Sequence, residues 1–401
     1  MDESTFNILM YSHDTYGLGH IRRTMAIAAA LREKGVNVLI LTGSPIAGRF
    51  SFPLGVDFVR MPGMIKQSNT VYLPHSIRVD PRHAIHIRRS IIAATAKAFD
   101  PHIFIVDKVP LGLKGELIPT LEWFKRKRPR SQVILGLRDI LDDAASTRAD
   151  WLEKGYNEIL ERLYDEIWVY GIQDLYDPIQ EYAIPEHIAA KTQFVGYIPR
   201  LTPRCLNENS GTSGGGGSNG GNKRKRQVLV TIGGGGDGYA VLENWLTMLG
   251  QWPDAPFKTL MISGPFLPDS VRDHLAERAR CLGVRFATFY KNLEKKMACS
   301  DLVVSMGGYN TVCEILSMQK PSLLIPRNTP RMEQEIRARV MQGRGLVEFI
   351  SWEAMTPDLL REKTECLLAK PERYIQAVRG FPMTGLEGMR SRIAAFRREW
   401  E

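Results

Sequence analysis

Three glycine-rich turns carry the side chains best suited to chemistry. The first is His13-Asp14-Thr15-Tyr16-Gly17-Leu18-Gly19-His20-Ile21-Arg22-Arg23. It sets an imidazole at a helix start, directly after Gly17-x-Gly19. An imidazole titrates near neutrality and can take a proton from a hydroxyl. A helix N-terminus favours its neutral form, as a base requires. The ordinary alternative is that His20 only orients the turn, and His13 suits support of the same loop. The second turn is Gly233-Gly234-Gly235-Gly236-Asp237-Gly238. The third is Ser305-Met306-Gly307-Gly308-Tyr309-Asn310-Thr311-Val312-Cys313-Glu314. A strand that breaks at two glycines and restarts as a helix points backbone N–H groups at its ligand, and the helix dipole favours an anion. Glu314, one turn on, can accept hydrogen bonds from two ribose hydroxyls. Diphosphate and ribose together mean a nucleotide. Taken alone, Gly307-Gly308 also fits a simple tight turn, with Glu314 favoured by the dipole.

The elements that must hold these turns alternate between strand and helix. Residues 7–11 read as a strand and residues 20–33 as a helix with Ile21, Met25, Ala28 and Leu31 at helical spacing, stopped by Gly35. Residues 36–41, 103–106, 133–135 and 167–169 are further apolar strands. Asp107 and Asp139 follow two of these strand regions, where cleft residues belong. They are alternative bases or acceptor contacts, although loop carboxylates are commonly caps. The pattern restarts with strands at 228–232, 259–262, 284–286, 302–304 and 322–325. Such alternation predicts parallel sheets covered on both faces, with ligands beyond the carboxyl ends of the strands.

At 401 residues the chain can form two domains. The N-terminus lacks the succession of a signal peptide, and no apolar run approaches the ~18 residues of a membrane span. Five scattered cysteines without a Cys-x-x-Cys pair read as thiols in a reducing cytoplasm. Asp142-Asp143 is not spaced as a metal clamp, and no zinc-ligand spacing occurs, so no metal is expected. The net charge of +9 arises at 223–226, at 125–128 with Arg130, and at Arg78, Arg82, Arg88 and Arg89. That charge could meet an anionic membrane or substrate, or be simply solvated. No RNA-binding signature accompanies it, so no nucleic acid partner is expected.

The three turns together resemble those of GT-B glycosyltransferases. The chain is most similar to the family of the peptidoglycan N-acetylglucosaminyltransferase, and within it to predicted family 28-like transferases with a His-Asp-x-x-Gly-x-Gly-His-x-x-Arg opening. The resemblance implies an α/β GT-B fold of two doubly wound Rossmann-like domains facing a central cleft. It implies an acceptor domain at 1–198, a donor domain at 199–378 with a flexible Gly/Ser-rich segment at 207–226, and a helix at 379–401 returning to the first domain. Gly196-Tyr197-Ile198-Pro199 matches the hinge. The implied catalytic set is His20, with Asp107 and Asp139 as alternatives. The implied donor-binding set is Gly17, Gly19, Gly233, Gly234, Gly235, Ser305, Gly307, Gly308, Asn310, Thr311, Glu314, Glu333 and Gln334. The family commonly shows Gln-Gln or Asp/His-Gln with an Asn three residues on, whereas this chain has Glu333-Gln334 and Arg337, which leaves the sugar open.

The expected reaction is inverting, metal-independent transfer of a hexosyl or N-acetylhexosaminyl group. The donor is a nucleotide-sugar, UDP-linked, and the acceptor a hydroxyl of a lipid-linked or small molecule. No cofactor is expected, and the location is cytoplasmic or peripheral at the inner membrane surface. The alternative is a nucleotide-sugar hydrolase in which His20 activates water, since the Gly-x-Gly-His-x-x-Arg opening also resembles such hydrolases. A non-catalytic nucleotide-sugar sensor is a third reading. An apolar acceptor surface, hinted at by Met64-Ile65 and Tyr72-Leu73, would favour transfer.

Overall fold

The computed structural model describes residues 5–14, 19–45, 47–49, 52–66, 71–200, 225–234, 236–290 and 292–400. Gly17, Gly235 and most of the Gly/Ser-rich segment 207–226 lie outside the described residues. The chain divides into two units, Met1–Ile198 with Pro382–Glu401, and Pro199–Phe381.

The first unit contains β1 (Phe6–Ser12), β2 (Val36–Thr42), β3 (Val56–Arg60), β4 (Met64–Lys66), β5 (Tyr72–Pro74), β6 (Ile103–Asp107), β7 (Gln132–Arg138), β8 (Glu166–Tyr170) and β9 (Thr192–Phe194). Seven of them form a sheet in the order β3-β2-β1-β6-β7-β8-β9, parallel throughout. Ile8, Leu9, Ile105 and Val106 are buried on both faces of the sheet, so helices must cover both. The helix Pro81–Phe99 begins where the Asp80 carboxylate accepts from the Arg82 amide, with proline in its first turn. The helix Gly385–Trp400 packs on the same unit. Arg390 donates to the Ala30 carbonyl, and Trp400 lies under the Arg130 guanidinium and edge-on to His102.

β4 and β5 form a separate antiparallel hairpin. Met64 is buried in a small cluster with Ala84 and Leu113. Ile65 and Leu73 face each other across the hairpin and are 40% and 39% exposed. Of the apolar residues singled out here in the sequence, Met64 is therefore core, while Ile65 and Leu73 are surface.

The second unit contains β10 (Arg226–Thr231), β11 (Phe257–Ile262), β12 (Arg285–Ala287), β13 (Leu302–Ser305), β14 (Ser322–Leu324) and β15 (Glu348–Phe349). Their order is β12-β11-β10-β13-β14-β15, again all parallel. Its core joins Val228, Val230, Leu302, Val304 and Leu323 to Trp245 of the helix Tyr239–Gln251. In each sheet the strand order reverses beside the first strand: between β1 and β6, and between β10 and β13. Open α/β sheets bind ligands at that reversal, beyond the carboxyl ends of the strands.

Among the cysteines, Cys313 is a buried thiol and Cys281 and Cys366 are exposed ones, but Cys299 is disulfide-bonded, contrary to the reading of all five as thiols. No helix among the described residues is long and apolar enough to cross a membrane.

Candidate functional site

In the first unit, β1 leads to His13 and Asp14, and the helix Gly19–Leu31 follows with Gly19 and His20 in its first turn. β6 runs beside β1 and ends at Asp107. The reversal thus brings together two residues 87 positions apart. His20 Nδ1 lies 2.5 Å from Asp107 Oδ2. Arg23 holds the same carboxylate, with Nη2 at 2.6 Å from Oδ1 and 2.9 Å from Oδ2, and Nε at 3.2 Å from Oδ1.

Electrostatics give each member a distinct role. Burial pushes Asp107 up, but Arg23 and His20 beside it outweigh burial and hold it well below the usual carboxylate range. Asp107 is therefore a fixed anion rather than a base. Burial lowers His20 to about 4; the Asp107 charge opposes this, and Arg23 and Lys108 reinforce it. His20 is thus shifted toward its neutral form first by burial, rather than by the helix N-terminus that its position suggests. An ionised carboxylate at 2.5 Å requires a proton on Nδ1, which leaves Nε2 with the free lone pair. The His20 side chain retains 16% exposure, so a substrate can reach it.

Beneath this pair lies a buried polar layer. His13 stands edge-on to His20 at 6.0 Å, with Nδ1 3.4 Å from the Tyr11 hydroxyl, and burial pushes it well below the usual range for histidine. The Tyr11 hydroxyl donates to Glu116 at 2.6 Å, and Glu116 pairs with Arg88 through two contacts of 2.6 Å. Arg88, one of the sources of the net positive charge, is fully buried. Asp14 accepts from the Thr42 hydroxyl, and burial raises it to about 6.

Asp139 does not join this group. It is fully buried after β7, where it accepts from the Tyr197 hydroxyl and the Ile140 amide and packs against Gly171. A carboxylate so enclosed fixes the chain around Tyr197.

The second unit presents its two turns at its own reversal. Gly233, at φ 70°, follows β10, and Gly264, at φ 75°, follows β11. A Cβ on Gly264 would stand 2.4 Å from the Gly233 carbonyl oxygen, so the two turns cross backbone to backbone. Phe266 N donates to the Gly234 carbonyl at 3.0 Å. After β13, Gly307 takes φ 72° and its amide lies 3.4 Å from Ser305 Oγ. Gly308 precedes the helix Tyr309–Ser317, and as the capping residue it brings no side chain of its own. The amides of its first turn, around Asn310 and Thr311, suit an anion. Glu314 is buried one turn further along.

Four arginines of this chain complete the picture. Arg200 Nη2 donates to Asn310 Oδ1 at 2.6 Å, so that side chain is committed to the protein. Arg327 pairs with Asp237 of the second turn at 2.6 Å and lies 4.0 Å from Glu333, while its amide donates to Gln334 Oε1 at 3.4 Å. Arg337 is fully buried, 3.4 Å from the Gly307 carbonyl and 5.6 Å from the centre of the Tyr309 ring. Arg23 closes the His-x-x-Arg of the opening motif. That spacing, and the Arg337 departure, were the available signals; Arg200 and Arg327 carried none.

Two parallel α/β sheets, each with its ligand-side turns at the reversal, define the class: the fold is GT-B. Solved structures agree. The glycotransferase of kitacinnamycin matches with a TM-score of 0.64 at 14% identity, covering 98% of this chain and 99% of that one. Acinetobacter baumannii MurG matches with a TM-score of 0.60 at 12% identity, covering 98% and 99%. Residues 229–386 match the glycosyltransferase family 28 C-terminal domain. The UDP-N-acetylglucosamine–N-acetylmuramyl-(pentapeptide) pyrophosphoryl-undecaprenol N-acetylglucosamine transferase of Clostridium kluyveri is 32% identical over 98 residues, 24% of this chain and 28% of that protein. The same-named protein of Methylobacterium radiotolerans is 26% identical over 146 residues, 32% of this chain and 40% of its own length. The chain thus spans less than half the length of these relatives.

Proposed function

We propose that the chain is an inverting glycosyltransferase that moves a sugar from a nucleotide-sugar, UDP-linked, to an acceptor hydroxyl. The observation that carries this reading is the His20–Asp107 pair, with Nδ1 tied at 2.5 Å and Nε2 left to accept a proton. Inversion by single displacement needs a base on the acceptor, and His20 supplies it. Asp107 holds the ring and stabilises the imidazolium that forms. The second unit binds the donor: the Gly307-Gly308 turn and the helix behind it face the diphosphate, and Glu314 holds the ribose. The leaving diphosphate is stabilised by backbone amides and the helix dipole, without a metal or a cofactor. The relatives' names include a lipid-linked pyrophosphoryl acceptor. A lipid-linked acceptor at a membrane surface is therefore the first to try, with small hydroxyl compounds beside it. His13 supports the ring of His20 from below.

Two expected outcomes follow from the site. Turnover at saturating donor should hold from neutrality down to about pH 4 and fall below it, because His20 acts only when neutral and burial lowers it to about 4. An acid limb at or above the ordinary histidine range would contradict the assignment. Glu314→Ala should weaken UDP binding by ~1.5–3 kcal/mol, the value of a hydrogen bond to a charged group. Calorimetry reads this directly, and unchanged affinity would remove the ribose role.

A further inference from the structure

We propose that Arg23 is a positioning residue for the reaction, the third member of a His20–Asp107–Arg23 unit that fixes the carboxylate and, through it, the proton-accepting face of His20. This rests on the role of His20 proposed above.

The spacing already sets the geometry. Residues three apart share a helix face, so His20 and Arg23 of the helix Gly19–Leu31 reach the same carboxylate at the end of β6. Arg23 is buried and meets both Asp107 oxygens. Its Nη2 also lies 3.1 Å from His20 Nδ1. A guanidinium has donors only and does not give up its proton. Nδ1 cannot both accept from Arg23 and donate to Asp107. The shorter contact to an anion decides in favour of Nδ1–H, and the Nη2 hydrogens go to the carboxylate. Arg23 therefore blocks two errors: Asp107 cannot turn away from the ring, and its charge does not act on His20 unopposed.

The far side of Arg23 is also built. Its guanidinium carbon lies 5.7 Å from the centre of the Tyr170 ring, at the end of β8. The Tyr170 hydroxyl reaches over β7 at Gly136, where a Cβ would stand 1.8 Å from that oxygen. Glycine at 136 leaves room for Tyr170, Tyr170 backs Arg23, Arg23 grips Asp107, and Asp107 orients His20. Among the described residues, the other charged or titratable groups facing His20 include Lys108, next to Asp107, and His13, directly after β1.

The test is a side-chain 15N–1H titration of His20 in the full chain, wild type beside Arg23→Gln, Arg23→Lys and Tyr170→Leu. In the wild type, His20 carries its proton on Nδ1 at neutral pH. In Arg23→Gln the titration midpoint should rise by about 1 unit or more, as removing a neighbouring like charge does. Arg23→Lys keeps the charge without the fork and should recover most of that shift. The acid limb of turnover should move upward in parallel, with donor KM unchanged. A folded Arg23→Gln chain with the wild-type His20 midpoint and tautomer would overturn the proposal. Should that variant fail to fold, Tyr170→Leu must show a smaller shift of the same sign, and an unmoved His20 there would overturn it equally. The titration reads the ring and not the reaction, so a His20→Ala chain that keeps turnover would sink the base assignment without deciding the role of Arg23.

Discussion

Replacing His20 with alanine is expected to lower turnover by about 10²–10⁴-fold, the range for losing a positioned general base. Nucleotide affinity should stay close to wild type, because the proposed diphosphate and ribose sites belong to the other unit. The size follows from how fully the ring is committed. Its Nδ1 is held at 2.5 Å by Asp107, which Arg23 keeps ionised. Among the described residues, no other group in the first-unit site is placed to take over. Asp107 is a fixed anion, Asp139 is enclosed against Tyr197 and Gly171, and His13 lies in the layer below. Turnover at saturating donor, paired with calorimetric UDP binding, checks this. Near-wild-type turnover would move the base elsewhere. A chain that fails to fold would mean that His20 serves only to set the turn.

The second large effect falls on stability. Arg88 and Glu116 form a fully buried pair with both side chains at 0% exposure. Arg88 also donates to the Pro62 carbonyl at 2.8 Å, and the Tyr11 hydroxyl donates to Glu116. Arg88→Met would leave a buried carboxylate with one remaining donor. Breaking such a pair from one side costs about 3–5 kcal/mol, far more than the pair adds over an apolar replacement. The double change Arg88→Met with Glu116→Leu should therefore recover most of the loss. Urea unfolding measures both, and a single variant as stable as wild type would show that the layer beneath His13 is not held in this way. The same layer supports His13 through Tyr11, so its loss should reach the site as well as the fold.

Much of this was legible in the sequence because the central strands are short, apolar runs. β1, β2, β6 and β10 stand out for that reason, and so do the turns that follow β1, β10 and β13. The edge and surface strands did not. β3 alternates with exposed positions, β4 and β5 have three residues each, and β9 and β15 have three and two. Such segments carry no period long enough to read. The site was legible as separate parts. His20 and Asp107 were candidates that competed for one role, because sequence shows where strands end but not which strands are neighbours. Only the placement of β6 beside β1 turns the rivals into partners. Arg23 was visible as the last letter of a motif, without a partner to explain it. Arg88 was visible only as a source of positive charge, since nothing local announces a counter-ion 28 residues away.

The most direct test of the central claim is product analysis. The full chain is incubated with a panel of UDP-sugars, together with a lipid-linked pyrophosphoryl acceptor or small hydroxyl acceptors, and His20→Ala is run in parallel. Mass spectrometry follows nucleoside diphosphate, free sugar and glycosylated acceptor. The predicted result is diphosphate and glycosylated acceptor in equal amounts from the wild-type chain, with both nearly absent in His20→Ala. Diphosphate released with free sugar alone, or equal product from the two chains, would contradict transfer by a His20 base.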